Sequence, residues 1–217
     1  MKLPVAAVIF DMDGTLFDTE IVYYRAFQSA LAQQNYDLTK ETYFSQLAGT
    51  TNENIEQFLT RTLNAKFDCQ QFSRDWPQFL QQFTLDDGIP FMPHIPHVLE
   101  LLHKRDIPMA IASSSYLTDI LDFTKRTGIH HYFQAVAAGD QVTSGKPSPD
   151  IYLLAAERLK VAPEACLAIE DSNHGVAAAH AAGMQVIMTA NRIPPNAHSN
   201  KVSHISNNLT SSLTRLL

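Results

Sequence analysis

Four acidic side chains stand in two pairs: Asp11 and Asp13 in the segment Asp11-Met12-Asp13-Gly14-Thr15, and Glu170-Asp171 much further along the chain. Each pair ends a short apolar run, Val5 to Phe10 in one case and Leu167-Ala168-Ile169 in the other. Two carboxylates roughly 4 Å apart repel by about 4 kcal/mol at an effective dielectric near ~20. Four that converge therefore need a cation or raised pKa values. Oxygen ligands without paired His or Cys favour a hard ion, Mg²⁺ ahead of Zn²⁺. Any one of these Asp residues would also serve as a loop residue or helix N-cap; the recurrence at two separate strand ends carries the argument.

Complementary groups follow two further segments. The run Met109 to Ala112 opens into Ser113-Ser114-Ser115. Its hydroxyls and backbone N–H groups suit phosphate oxygens, or, read locally, cap the next helix. Lys146 lies in Thr143-Ser144-Gly145-Lys146-Pro147-Ser148-Pro149. Either it is a solvated loop lysine, or it is a fixed positive charge for a phosphoryl group among carboxylates.

These residues need elements to hold them. Short apolar runs at Val5 to Phe10, Met109 to Ala112, Ala135 to Ala138, Cys166 to Ile169 and Val186 to Met188 read as strands buried on both faces, with a weaker one near Val202 to Ile205. Helical stripes separate them, among them Ile95, Val98, Leu99 and Leu102, then Ile151, Leu154, Ala155 and Leu159, then Val176, Ala177, Ala181 and Ala182. Alternating strands and helices predict an α/β, Rossmann-like parallel sheet flanked by helices, with ligands at the carboxyl ends of its strands. Residues 17–86 break the alternation with helix patterns alone, such as Tyr23, Ala26, Phe27, Ala30 and Leu31, or the aromatic stripe Phe72, Trp76, Phe79 and Phe83. The expected division is a core of residues 1–16 and 87–217 and an inserted all-helical domain of residues 17–86, with the aromatic stripe as the insert's own core.

Composition narrows the class. The chain has 217 residues, 45% apolar and 18% charged, with a formal net charge of −6. That is ordinary globular composition, and with no Lys/Arg run it disfavours a nucleic-acid surface or an anionic membrane patch. No apolar stretch approaches the roughly 20 residues that span a bilayer, and the N-terminus lacks the pattern of a secretory leader. Cys69 and Cys166 make no disulfide framework, and Cys166 reads as a small buried hydrophobe. The expectation is a soluble, cytoplasmic, monomeric protein.

Asp11-Met12-Asp13-Gly14-Thr15, Ser113, Lys146-Pro147 and Glu170-Asp171, in this order and context, resemble the haloacid dehalogenase superfamily of phosphohydrolases. More narrowly, the chain is similar to the branch of β-phosphoglucomutase and small sugar-phosphate phosphatases, which carries a helical cap after its first motif. The resemblance implies a Mg²⁺-dependent phosphatase. Asp11 would be the nucleophile that forms a phosphoaspartyl intermediate, and Asp13 the acid and base, its main-chain carbonyl meeting the metal. Ser113, Lys146 and the backbone near Ser114 would hold phosphoryl oxygens, with Asp11, Asp13, Glu170 and Asp171 around the ion. Cap geometry in the family suggests Tyr23, Gly49, Thr50 and Asn52 as substrate-facing residues, with packing as the alternative for Tyr23. The chemistry agrees: an ionised carboxylate attacks without a base, and a lysine and a divalent ion neutralise charge on the transferring group.

Asp13 and Asp171 argue against dehalogenation, because the dehalogenases lack them. The mutases carry a His where this chain has Tyr23, and an Arg for a second phosphate where it has Asn52. Asn cannot supply that bidentate grip. A small phosphorylated metabolite, such as a sugar phosphate, is the expected substrate. A phosphosugar mutase and a non-catalytic phosphate-binding module are the alternatives.

Overall fold

The computed structural model describes residues 5–48, 50–189, 204–206 and 208–216. The chain divides into two compact units, one of Met1–Phe17 with Phe91–Leu217 and one of Asp18–Pro90.

The first unit is a six-stranded parallel sheet in the order β3-β2-β1-β4-β5-β6. Its strands are β1 (Ala7–Phe10), β2 (Met109–Ser113), β3 (Ala135–Ala138), β4 (Cys166–Glu170), β5 (Gln185–Thr189) and β6 (His204–Ser206). All six apolar runs lie on strands, although Val202 falls outside the described residues. Ala7, Val8, Ile9 and Phe10 are all fully buried, the condition that apolar runs without alternation satisfy. This is the doubly wound order in which the sheet reverses direction at its first strand, which opens a crevice at the carboxyl ends of β1 and its neighbours.

Period two sorts the strand residues between the faces. Ala7 and Ile9 pack with Ile151, Tyr152, Ala155 and Ala156 of helix α7 (Asp150–Leu159) and with Val176, Ala178 and Ala179 of α8 (Asn173–Ala181). The helices differ in detail from the sequence reading. Ala178 and Ala179 are buried on α8 while Ala181 is exposed, and Tyr152 is fully buried on α7 while Leu154 and Leu159 are only partly so. In a helix this rich in alanine the apolar period leaves the face ambiguous, and packing decides it. Helix α5 (Ile95–Lys104) buries Val98, Leu99 and Leu102 completely, each side chain worth about 1.5–3 kcal/mol against exposure. Helix α6 (Leu117–Arg126) and the C-terminal α9 (Leu209–Leu216) complete the unit.

Among its described residues the second unit has helices joined by turns and loops, and no strand. It holds α1 (Thr19–Ala32), the short α2 (Lys40–Thr42) running into a π turn at Tyr43–Leu47, α3 (Asn52–Thr62) and α4 (Cys69–Asp86). Asp18, Thr51 and Asp68 start α1, α3 and α4 by accepting backbone N–H bonds from Ile21, Asn54 and Gln71. Phe27 is the hub of its core, edge-on to Phe72 at 5.4 Å and to Trp76 at 5.0 Å between ring centroids. Of the aromatic stripe on α4 only Phe72 is fully buried; Phe79 and Phe83 stack on each other, with the Arg25 guanidinium over Phe83. The two ends of the unit meet where Asp18 N donates to the Pro90 carbonyl at 2.8 Å.

Candidate active site

Strand β1 lies between β2 and β4, so its carboxyl end is flanked by theirs. Asp11 follows the last residue of β1, and its N–H donates to the Ile169 carbonyl of β4 at 3.0 Å. The next residues turn back on themselves, with Leu16 N and Phe17 N both donating to the Met12 carbonyl. Gly14 makes this turn possible twice over. Its φ of +78° is one that side chains rarely adopt, and a Cβ there would sit 2.1 Å from Asp171 Oδ2. The first acidic motif is thus fitted against the second.

Lys146 binds the two motifs together. Its Nζ donates to Asp11 Oδ1 at 2.6 Å and to Glu170 Oε1 at 2.6 Å. Nearly all of the lysine side chain is out of water, so it is no solvated loop residue. Glu170 is completely buried. Its Oε1 also accepts from Tyr152 Oη at 2.7 Å, and its Oε2 accepts from Asp171 N, Ser172 N and Ser172 Oγ at 3.0 to 3.1 Å. The carboxylate's four lone-pair positions are thereby filled. Asp13 is exposed and its Oδ2 accepts from Ser115 Oγ at 3.2 Å. Ser113 is buried, and its Oγ accepts from Ser115 N at 3.1 Å, closing the turn after β2. Ser114 is exposed at the same turn.

Electrostatics separates the acids. Burial pushes the Asp11 carboxyl well above the usual carboxylate range; Lys146 opposes the rise and Glu170, Asp171 and Asp13 add to it. Asp171 is pushed up to about 7, first by burial and then by the charge of Glu170. Glu170 goes the other way. Burial works against its charge, but Lys146 and the hydrogen bonds it receives hold it below the ordinary glutamate value. Burial also works against Lys146, yet Asp11 and Glu170 outweigh it and keep the lysine a firm cation. Nothing in the sequence signalled that burial works against the charge of Asp11, because desolvation depends on what surrounds the group in space.

Oxygens of Asp11, Glu170 and Asp171 lie within 4.8 Å of one another. An all-oxygen set in which burial and neighbouring carboxylates work against the charge of Asp11 and Asp171 fits a hard divalent ion, whose charge would offset both. Asp11 and Asp171 are the side chains suited to hold it, since Glu170 already carries its full complement of donors.

The structure thus gathers Asp11, Lys146, Glu170 and Asp171 in one pocket and joins Asp13 to the serine turn after β2. Tyr23, Thr50 and Asn52 belong to the helical unit. Tyr23 is partly exposed, with its ring 6.3 Å from Phe27 and 6.0 Å from Trp76. The Thr50 hydroxyl donates to the Leu47 carbonyl at 2.7 Å, and Asn52 is the exposed first residue of α3. Gly49 lies outside the described residues. Sequence reasoning passed over Tyr152, Ser172 and Ser115 as partners of the acids. Tyr152 follows Ile151 in an apolar helix and reads as core, and nothing local ties its hydroxyl to a glutamate 18 residues away.

A doubly wound parallel sheet with a buried lysine among carboxylates at its reversal point, and a helical insert after its first strand, defines a Rossmann-like α/β core with an acidic site at its strand ends. The model of the haloacid dehalogenase-like hydrolases matches residues 8–189, and the chain belongs to this family. It is 33% identical over 83% of its length to a phosphorylated carbohydrates phosphatase of Thermotoga maritima, covering 83% of that protein. It is 30% identical over 82% of its length to a beta-phosphoglucomutase of Bacillus subtilis, covering 80% of it. The crystal structure of a family hydrolase from Deinococcus radiodurans, with bound phosphate and sodium, superposes with a TM-score of 0.85 over 98% of this chain and 96% of that one. At 24% identity that likeness speaks for the fold. Among the described residues no helix is long and apolar enough to cross a membrane, and Cys69 and Cys166 are both free.

Proposed function

We propose that the chain is a Mg²⁺-dependent phosphatase that hydrolyses a small phosphorylated metabolite, a sugar phosphate by preference, through a phosphoaspartyl intermediate on Asp11. The observation that carries this reading is the buried Lys146 held 2.6 Å from Asp11 and 2.6 Å from Glu170. A cation fixed beside a carboxylate at a strand end suits a dianionic group undergoing transfer to that carboxylate.

An Asp11 oxygen attacks phosphorus as the bond from phosphorus to the leaving alcohol breaks, and Asp13 gives the departing oxygen its proton. Water then attacks phosphorus, Asp13 takes the water's proton, and the bond to Asp11 breaks to release inorganic phosphate. Lys146, Ser113 and the backbone after Asp11 and near Ser114 hold the phosphoryl oxygens. Asp11, the main-chain carbonyl of Asp13 and Asp171 would hold the Mg²⁺, with Glu170 beside them as a counter-charge. The ion, when bound, neutralises phosphoryl charge and brings the carboxylates to their ionised forms. The domains act as a catalytic core of residues 1–16 and 87–217 and a cap of residues 17–86 that offers Tyr23, Gly49, Thr50 and Asn52 to the substrate.

Hydrolysis is favoured over mutation of the phosphate's position by Asn52, and by the makeup of the strand-end segments. Residues 11–17, 113–117, 139–149 and 170–174 contain Lys146 and no other Lys or Arg, so these segments offer no second ammonium or guanidinium for a second phosphate.

The test is Mg²⁺-dependent phosphate release from an aryl phosphate and a panel of sugar monophosphates. An isomerised sugar phosphate with little free phosphate would replace this reading by a mutase. A zero rate across the panel with phosphate binding retained would replace it by a binding module. Asp13→Ala is expected to slow poor alcohol leaving groups at least tenfold more than an aryl oxide, whose departure needs little acid help. Equal losses would remove Asp13 from the acid role.

A further inference from the structure

We infer that Tyr152 is a positioning residue for the reaction: its hydroxyl, acting through Glu170, keeps Lys146 shared between Glu170 and Asp11 and so available to a phosphoryl group. The inference rests on the phosphatase reading and adds a residue to its machinery.

Glu170 Oε1 is the point at which two donors meet, Lys146 Nζ at 2.6 Å and Tyr152 Oη at 2.7 Å. The other oxygen is engaged by Asp171 N, Ser172 N and Ser172 Oγ, so the carboxylate cannot rotate to find a substitute donor. Nor can it shift toward α8, because Gly175 is packed so closely that a Cβ there would lie 1.7 Å from Oε1. The arrangement is buried on every side, with Tyr152 and Glu170 at 0% exposure. The Tyr152 ring also lies beneath the ammonium, with its centroid 5.2 Å from Nζ.

Lys146 is therefore held by three groups: Asp11, Glu170 and the face of Tyr152. The hydroxyl of Tyr152 takes up part of the charge on Oε1. Without it the full attraction of that oxygen falls on Lys146, which is drawn toward Glu170 and away from Asp11, where the phosphoryl group would sit. Hydrogen bonds to charged groups of this kind typically alter an equilibrium about tenfold or somewhat more.

Tyr152→Phe separates hydroxyl from ring, since it keeps the volume and the aromatic face. The expected result is a fall in kcat of about tenfold on an aryl phosphate, with KM and the Mg²⁺ activation constant within about twofold of wild type. In a crystal structure of the variant, Lys146 Nζ is expected beyond hydrogen-bond reach of Asp11, past about 3.5 Å. A structural role alone would lower the melting temperature and leave kcat per folded molecule and the lysine position unchanged, and that result overturns the inference. Gly175→Ala crowds the same carboxylate, its Cβ falling within 2.2 Å of both oxygens, and is expected to lower kcat with the same sparing of KM; an unchanged kcat there counts equally against it. A wild-type enzyme that is active beside an equally active Tyr152→Phe overturns this inference alone. A wild type without phosphatase activity overturns the functional reading, and the lysine position in the variant still decides the inference.

Discussion

The two units of this chain solve opposite problems. The α/β unit takes charge out of water: Asp11, Glu170 and Lys146 are buried together, and the glutamate survives as an anion because five donors surround it. The helical unit buries almost no charge. Its core is Tyr24, Phe27, Leu31, Leu47, Leu59 and Phe72, and the polar residues that are candidates for the substrate, Thr50 and Asn52, stay exposed. Burial in one unit makes reactivity, because desolvated charges interact strongly and shift each other's pKa values. Burial in the other makes only stability. Substitutions in the two units should therefore fail in different ways.

The sharpest contrast is at Asp11. Asp11→Asn is expected to lower kcat at least 10³-fold, a loss of more than about 4 kcal/mol of transition-state stabilisation, with the folded state retained. Steady-state turnover and far-UV circular dichroism together check this, and turnover near the wild-type rate would end the assignment of the nucleophile. Phe27→Ala is the counterpart in the helical unit. It should cost about 3–5 kcal/mol of stability through the cavity it leaves, read as a lower denaturation midpoint. A stable variant would show that the aromatic core contributes less than its packing implies.

A smaller effect concerns pH. Asp171 in the fold binds its proton more tightly than in the unfolded chain, at about 7 against 3.8. The unfolded chain therefore releases the proton first, and the metal-free protein loses stability as pH rises from about 4 toward about 7. At pH 8, Asp171→Asn should make the metal-free protein more stable by roughly 1–3 kcal/mol, while Mg²⁺ stabilises the wild type more than the variant. Thermal melts at pH 5 and pH 8, with and without Mg²⁺, give the comparison; equal melting temperatures for the metal-free pair at pH 8 would refute it. The smallest effects belong to the exposed residues of the helical unit. Asn52→Ala and Tyr23→Ala should raise KM for the preferred sugar phosphate several-fold, about 1 kcal/mol, and leave turnover of an aryl phosphate within twofold. If both substrates lose kcat alike, the division between chemistry and selection breaks down.

Much of the α/β unit was legible in the sequence for a local reason. Runs such as Val5 to Phe10 and Cys166 to Ile169 are apolar at every position, which suits a strand covered on both faces, and the acids that follow them mark the carboxyl end of each strand. The helices were less legible where composition blurred the period. In α8 four of the nine residues are alanine, so Ala177 and Ala181 were as good a choice of buried face as Ala178 and Ala179 until the sheet selected the latter pair. On α4 the aromatic stripe marked the helix correctly, but the stripe is longer than the core it packs against, and Phe79 and Phe83 remain partly exposed.

By itself, the sequence determined which residues carry charge, where the strands run and which side chains stand at their ends, because these depend on neighbours two to four positions away. Only the tertiary structure decided how those charges share one space. Strand order set β1 between β2 and β4, 135 residues of chain separate Lys146 from the Asp11 it holds, and Glu170 took its donors from a helix whose tyrosine looked like core. Desolvation then raised Asp11 and Asp171, while in Glu170 the same burial was outweighed by Lys146 and the hydrogen bonds it receives. Such shifts depend on what surrounds a group in space, and no spacing along the chain encodes them.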